Sequence, residues 1–240
     1  MPPRMNFNLL TNAWRDFIAL LFPRLCIACE QTLPKSERCL CLNCQLTLPE
    51  TRFHETSPNT FTARFDGRVP LEAAAALYFF TQKSRTQHLV HQIKYNDKRE
   101  AAVELGRVLG EKLAHSTVFQ GIDCIVPVPM HPTKQRWRGY NQAEMFADGL
   151  SDAMNIDVNT TALQKVKMTI SQTKMNRLQR LANAQEVFEL TNPKALTGKN
   201  ILIVDDVMTS GATLESCALA ITKALPDVKI SFATIAYAQH

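Results

Sequence analysis

The sequence predicts an open α/β fold with a small cysteine-rich module ahead of it, and three observations carry that prediction. Two short runs, Ile201 to Val204, wholly aliphatic, and Ile122 to Val128, apolar except for Asp123, read as parallel strands buried on both faces. Stretches with helical spacing alternate with such runs through the rest of the chain. Five of the seven cysteines crowd between Cys26 and Cys44. A secreted disulfide framework would spread them through the chain, so clustering points to a metal site.

At 240 residues there is room for one full domain plus a small appendage. Hydrophobic residues make up 45% and charged residues 20%, an ordinary globular composition rather than a disordered or fibrous one. The formal net charge of +5 is compatible with a polyanionic ligand or nucleic acid. No apolar run approaches the roughly 18 residues needed to cross a bilayer. The run Phe17 to Phe22 is too short and too weakly flanked for a signal peptide. The expectation is a cytoplasmic protein without membrane insertion.

Taken in order, residues 1–22 read as a tail followed by a short helix over Trp14 to Phe22, stopped before Pro23. Its stripe of Trp14, Phe17, Ile18 and Leu21 is expected to pack on the cysteine module rather than on a membrane. Residues 23–50 form that module. Cys26 and Cys29 make one CxxC knuckle and Cys41 and Cys44 a second, a separation that suits tetrahedral thiolate coordination of one Zn²⁺. Four thiolates leave no open coordination position, so the expected role is structural; reduced cysteines in a tight turn are the alternative. Cys39 is read as a bystander.

Residues 51–70 carry Pro, Ser, Thr, Asn and Gly without periodicity and read as a linker. The main domain is expected over 71–240. It begins with a strand over Glu72 to Phe80, then helices over Arg85 to Tyr95 and Glu100 to Ala114. The basic stretch Lys94 to Arg99 joins them. After the strand Ile122 to Val128 comes a loop, Met130 to Gln142, in which Lys134, Arg136 and Arg138 flank Trp137, with Tyr140 just beyond. Ligands bind at the carboxyl ends of strands in open α/β sheets. These cations are therefore candidates for pyrophosphate or a nucleic-acid backbone, and Trp137 or Tyr140 for stacking a base. A solvated loop with its aromatics packed on the domain is the alternative. A helix over Asn141 to Met154 and a strand within Thr161 to Val166 follow. The polar, basic stretch Thr169 to Arg180, including Arg177 and Arg180, is expected to act as a flap over an anionic ligand. A last strand spans Lys229 to Ala238.

The densest signal is Ile201 to Thr213. Four aliphatic residues lead into Asp205 and Asp206, expected where the strand emerges. A short loop of Thr209, Ser210 and Gly211 then opens a helix from Leu214, preceded by Ala212 and Thr213. Loop N–H groups, the positive helix end and the hydroxyls of Thr209, Ser210 and Thr213 suit a phosphate. Two carboxylates beside a phosphate cradle would repel the ligand unless they face sugar hydroxyls or a metal; a ribose 5-phosphate fits. The Gly-Lys-Ser/Thr of a nucleotide P-loop is absent. The stretch resembles the phosphoribosyl pyrophosphate (PRPP) motif of type I phosphoribosyltransferases.

The chain as a whole resembles the ComF family, also called GntX-like. The matching features are the four module cysteines; Ile93-Lys94-Tyr95; Val126-Pro127-Val128-Pro129 followed by Arg138-Gly139-Tyr140-Asn141-Gln142; Ser171-Gln172 with Arg177, Arg180 and Asn183; and the PRPP motif. One departure is Leu181-Ala182, where a Trp-Glu pair is frequent. The resemblance implies a type I phosphoribosyltransferase-like doubly wound parallel sheet with an N-terminal four-cysteine zinc module. It implies PRPP at Asp205 to Thr213, with Mg²⁺ arriving on that ligand. It also implies a part in natural competence, handling single-stranded DNA inside the cell, with the cysteine module available to other DNA-uptake proteins. If the chain is an active transferase, Asp205 and Asp206 hold the ribose while the cations neutralise departing pyrophosphate. No residue in the sequence identifies the acceptor nucleophile or its base.

Overall fold

A computed structural model describes residues 22–166 and 187–239. All but Phe22 of the expected N-terminal helix, the whole flap Thr169 to Arg180 with Ser171, Gln172, Arg177 and Arg180, and Asn183 lie outside the described residues. The chain divides into two compact units, residues 1–47 and 48–239 with the final residue.

The first unit is built from short-range backbone bonds around the cysteines. An isolated antiparallel bridge joins Leu25 to Thr32. The Cys26 N–H donates to the Gln31 carbonyl at 2.8 Å, and Arg24 Nη2 donates to the Glu37 carbonyl at 2.9 Å. A six-residue helix, α1, spans Leu42–Thr47. Glu37 Oε1 accepts from the Leu42 N–H at 3.0 Å and satisfies one donor at the helix start.

The second unit carries a four-stranded parallel sheet formed by β1 (Ala73–Phe80), β2 (Cys124–Pro127), β5 (Asn200–Met208) and β6 (Lys229–Ala238), in the order β1-β6-β5-β2. Between β2 and β5 in sequence, β3 (Leu163–Val166) and β4 (Val187–Leu190) pair as a separate antiparallel ribbon. The helices are α2 (Arg85–Tyr95), α3 (Arg99–Ala114), α4 (Pro132–Arg138), α5 (Gln142–Met154) and α6 (Ala212–Ala224). Central strands are buried on both faces, which is why β5 shows unbroken aliphatics instead of alternation. Ile201 and Ile203 pack with Leu214, Cys217 and Ile221 of α6. Leu202 and Val204 point the other way, toward the layer that holds α5. The four alanines that open β1 are fully buried; small side chains there let α2 and α3 lie close against the strand. α3 and α5 approach closely as well, since a Cβ on Gly149 would lie 1.9 Å from the Val103 carbonyl oxygen.

Three expectations need correction. Residues 51–70 are not a linker. They form two 3-10 turns, Phe53–Glu55 and Thr62–Phe65, and Phe61 and Phe65 are wholly buried in the core. Phe65 meets Phe232 edge-on at 5.0 Å, and Tyr237 hydroxyl donates to the Thr60 carbonyl at 3.0 Å. Asn59 ties the segment down: its Nδ2 donates to Ala74 O on β1 at 3.0 Å, and its Oδ1 accepts from Phe61 N at 2.9 Å. The low periodicity reflects irregular backbone whose polar groups are satisfied by one asparagine, not exposure to solvent. The second correction concerns the basic loop, which contains helix α4, capped by His131 Nδ1 accepting from Thr133 N at 3.2 Å and with Pro132 in its first turn. Thirdly, β5 does not end before its acids. It continues through Asp205 and Asp206 to Met208, paired with β6, while β2 pairing stops at Val204.

Candidate functional site

The premature end of β2 creates the site. Beyond the Val128 N–H bond to Val204 O at 2.9 Å, β5 has a neighbour on one side only among the described residues, and a cleft of about 210 Å³ opens there. Asp205, Asp206, Thr209 and Thr213 form one wall; Lys94, Lys134, Arg138 and Lys165 supply cations from the others. Four cations face two carboxylates, so the cleft attracts anions although its floor is acidic.

The acidic wall is held from below. Gly211 precedes α6 at φ 82°, and a Cβ there would sit 2.8 Å from Phe65 Cζ. Only glycine gives both the left-handed backbone and that clearance. Arg64 Nη2 donates to the Thr209 carbonyl at 3.3 Å, and Arg68 pairs with Glu215 of α6 at 2.7 Å. Thr209, Ser210 and Ala212 are exposed, and Thr213 is half-buried. The Asp206 N–H donates to Asp205 Oδ1 at 2.8 Å, fixing one carboxylate against the chain.

Lys94, at the C-terminal end of α2, places its Nζ 3.1 Å from Asp206 Oδ1. Acid and base are thus already paired across the cleft. Arg138, the last residue of α4, donates from Nη1 to Gln142 Oε1 at 2.9 Å and stacks over Tyr95 at 5.1 Å. Tyr140 does not face the cleft: it is buried, and its hydroxyl donates to the Ile93 carbonyl. Burial pushes that phenol up from its ordinary pKa. It anchors the α4–α5 junction to α2 and stacks no ligand, because its ring has no solvent face. Arg136 is exposed and does not line the cleft; on a helix, two residues' separation points it away from Arg138. Ser210, Gly211 and Ala212 shape the loop between the two lining threonines.

Asn141, Gln142 and Lys165 were not singled out from sequence as cleft residues. Asn141 caps α5 through Ala143 N at 3.1 Å and donates to the Val128 carbonyl at 3.0 Å, so a cap signal marked it. Lys165 sits 5.5 Å over the Phe188 ring on the β3–β4 ribbon. A single lysine in a short strand carries no signal of its own.

In the first unit, the Sγ atoms of Cys26, Cys29, Cys41 and Cys44 lie within 4.8 Å of one another. Cys29 and Cys41 are separated by 3.6 Å, near the ~3.8 Å edge of a tetrahedron with 2.3 Å metal–sulfur bonds. Cys39 is outside this set and lends its carbonyl to Ile27 N at 3.0 Å. Burial works to raise the Cys26 thiol, but the N–H groups of Cys41, Ala28 and Cys29 outweigh it and bring it down to about 7. Burial and the surrounding thiols push Cys44 up. Four sulfurs this close ionise together only around a cation, so the donor set fits a thiolate-bound metal.

A phosphoribosyl transferase domain family matches residues 141–240. The DNA utilization protein YhgH of Escherichia coli K12 is 30% identical over 133 residues, 54% of this chain and 58% of that protein. Competence protein F of Haemophilus influenzae is 31% identical over 102 residues, 42% of this chain and 44% of its own. Competence protein ComFC of Bacillus subtilis is 31% identical over 94 residues, 39% and 36% respectively. The chain thus spans little more than half the length of these relatives, and less of some. Among solved structures, the B. subtilis glutamine PRPP amidotransferase aligns over 60% of this chain and 30% of its own, at TM-score 0.39 and 16% identity. A Bacillus anthracis hypoxanthine-guanine phosphoribosyltransferase aligns over 57% and 69%, at TM-score 0.37 and 18% identity. Over these stretches the chain is similar to competence and DNA utilization proteins and, at residues 141–240, to phosphoribosyl transferase domains.

Proposed function

We propose that this protein binds PRPP in the cleft and acts in DNA uptake and natural transformation, handling single-stranded DNA in the cytoplasm. The carrying observation is the convergence of two carboxylates, two threonines and four cations on one cleft at the sheet's carboxyl edge. PRPP has the complementary pattern. Its 5-phosphate suits the Thr209 to Thr213 loop, its ribose hydroxyls suit Asp205 and Asp206, and its pyrophosphate suits Lys94, Lys134, Arg138 and Lys165. Arg177 and Arg180 are proposed to add charge from the flap. Mg²⁺ would come with the ligand, held mostly by phosphate oxygens and water. The relatives named for competence and DNA utilization support the DNA role. Calorimetric titration with Mg²⁺ and PRPP should show saturable binding that is lost in Asp205→Ala/Asp206→Ala; no saturable heat in the wild type overturns the reading.

Transfer chemistry is the second reading, favoured by the position of the cations across from the acids, where a departing pyrophosphate would need neutralising. Pyrophosphate release from PRPP, assayed with free bases and with single-stranded DNA, should exceed background if a transfer occurs. Release at background alongside DNA binding leaves the non-catalytic role. The four cysteines are proposed to hold one structural Zn²⁺ and to leave the module free to dock other DNA-uptake proteins. Metal analysis of purified protein should find about one zinc per chain, and far less removes the metal from the proposal.

A further inference from the structure

Most large rings of the second unit are buried, yet Trp137 is 73% exposed and Tyr95 49% exposed. They come from different helices, α4 and the end of α2, and meet edge-on with centroids 6.1 Å apart at 69°. His91 lies one turn back along α2, its ring 4.6 Å from Tyr95. We propose that Tyr95 and Trp137 form a base-stacking platform for single-stranded DNA beside the phosphate cleft, with Arg138 as the residue common to both. This inference rests on the single-stranded DNA reading above and gives it a location.

Three features of the geometry support it. The platform is braced: Tyr140 hydroxyl holds the Ile93 carbonyl, two residues before Tyr95, and Arg99 stacks over Tyr140 at 4.9 Å. Two exposed aromatics held in fixed relation lose little freedom when a base stacks on them. The charge around them suits a polyanion. Lys134, Arg136 and Arg138 share the short helix with Trp137, and Lys98 is exposed just past Tyr95. Cations interleaved with exposed rings are what sequence-tolerant binding of single strands requires. The third feature is Arg138 itself. Its guanidinium stacks on Tyr95 while the side chain lines the cleft, and its buried Nε has no hydrogen-bond partner among the described residues. A buried donor left without a partner is costly, and a phosphate oxygen entering the cleft beside a stacked base would satisfy it.

The test uses the full chain and fluorescent oligothymidine of ~12 nucleotides, long enough for one binding face. Trp137→Ala and Tyr95→Ala should each weaken binding by about 5- to 100-fold. The slope of log affinity against log salt should not change, because no phosphate contact is lost. Lys134→Gln should instead flatten that slope by about 0.7. In a Trp14→Phe background the one remaining tryptophan is Trp137, and its emission should be quenched on binding. Both aromatics are exposed, so retained thermal stability separates lost stacking from lost fold. Wild-type affinity in both aromatic variants, with oligonucleotide still bound, overturns the platform and leaves the DNA reading intact. No binding by the wild type overturns both.

Discussion

The two principal walls of the cleft are built by opposite strategies. The acidic wall is one continuous stretch: β5 delivers Asp205 and Asp206, and the loop of Thr209 to Thr213 turns directly into α6. The basic wall is assembled from α2, α4 and β3, whose lysines and arginine stand far apart in sequence. A contiguous wall is legible as a motif and is set by local geometry. An assembled wall exists only when several helices and strands pack correctly, so it depends on contacts that bind nothing themselves, such as Tyr140 to Ile93 and Asn141 to Val128. Function should therefore fail in different ways on the two sides.

The largest effect is expected under the acidic wall. Phe65 is fully buried beneath Gly211 and against Phe232, so Phe65→Ala should cost about 3–5 kcal/mol of stability, read from chemical denaturation. A change below about 1 kcal/mol would mean that the 51–70 segment does not support the loop. A smaller but more telling effect concerns Asp206, which is paired with Lys94. Asp206→Asn should weaken PRPP about 10-fold or more through the lost charge-assisted hydrogen bond. The same change should tighten inorganic pyrophosphate, since Lys94 is released to an anion. Equal weakening of both ligands would deny that the two walls oppose each other.

Next in size is Tyr140→Phe, which removes the donor to a buried carbonyl and should cost about 1–3 kcal/mol of stability. PRPP binding should fall only as far as the basic wall loosens. The smallest effect belongs to Arg136. Because it points away from the cleft, Arg136→Gln should leave PRPP affinity within about 2-fold, a change near the noise of surface substitutions. A large loss would move Arg136 back into the site.

These contrasts track what could be read beforehand. The aliphatic run, the acid pair and the small-residue turn identified β5 and its loop because each rests on local backbone chemistry. The CxxC spacing likewise brought four sulfurs together, since a knuckle closes over a few residues. Residues 51–70 misled because a segment can be buried without periodicity when aromatic anchors and one asparagine do the work of a regular element. The His131-Pro132 start of α4 was a readable helix signal, masked by the cations around it. Tyr140 and Trp137, three residues apart, looked interchangeable as stacking rings. One is buried, its hydroxyl on the Ile93 carbonyl of α2, and the other is open to solvent; only tertiary packing separates them.

What the sequence determined by itself was the set of local geometries: a double-sided buried strand, a phosphate-sized turn at a helix start and a four-sulfur cluster. Tertiary structure alone decided that β2 would stop short and open one edge of β5. It alone brought Lys94, Lys134, Arg138 and Lys165 to that edge, and placed Phe65 beneath the glycine of the loop. The physical reason is range. Backbone propensity and chelate spacing act over a few residues, whereas charge placed across a cleft depends on the packing of elements distant in the chain.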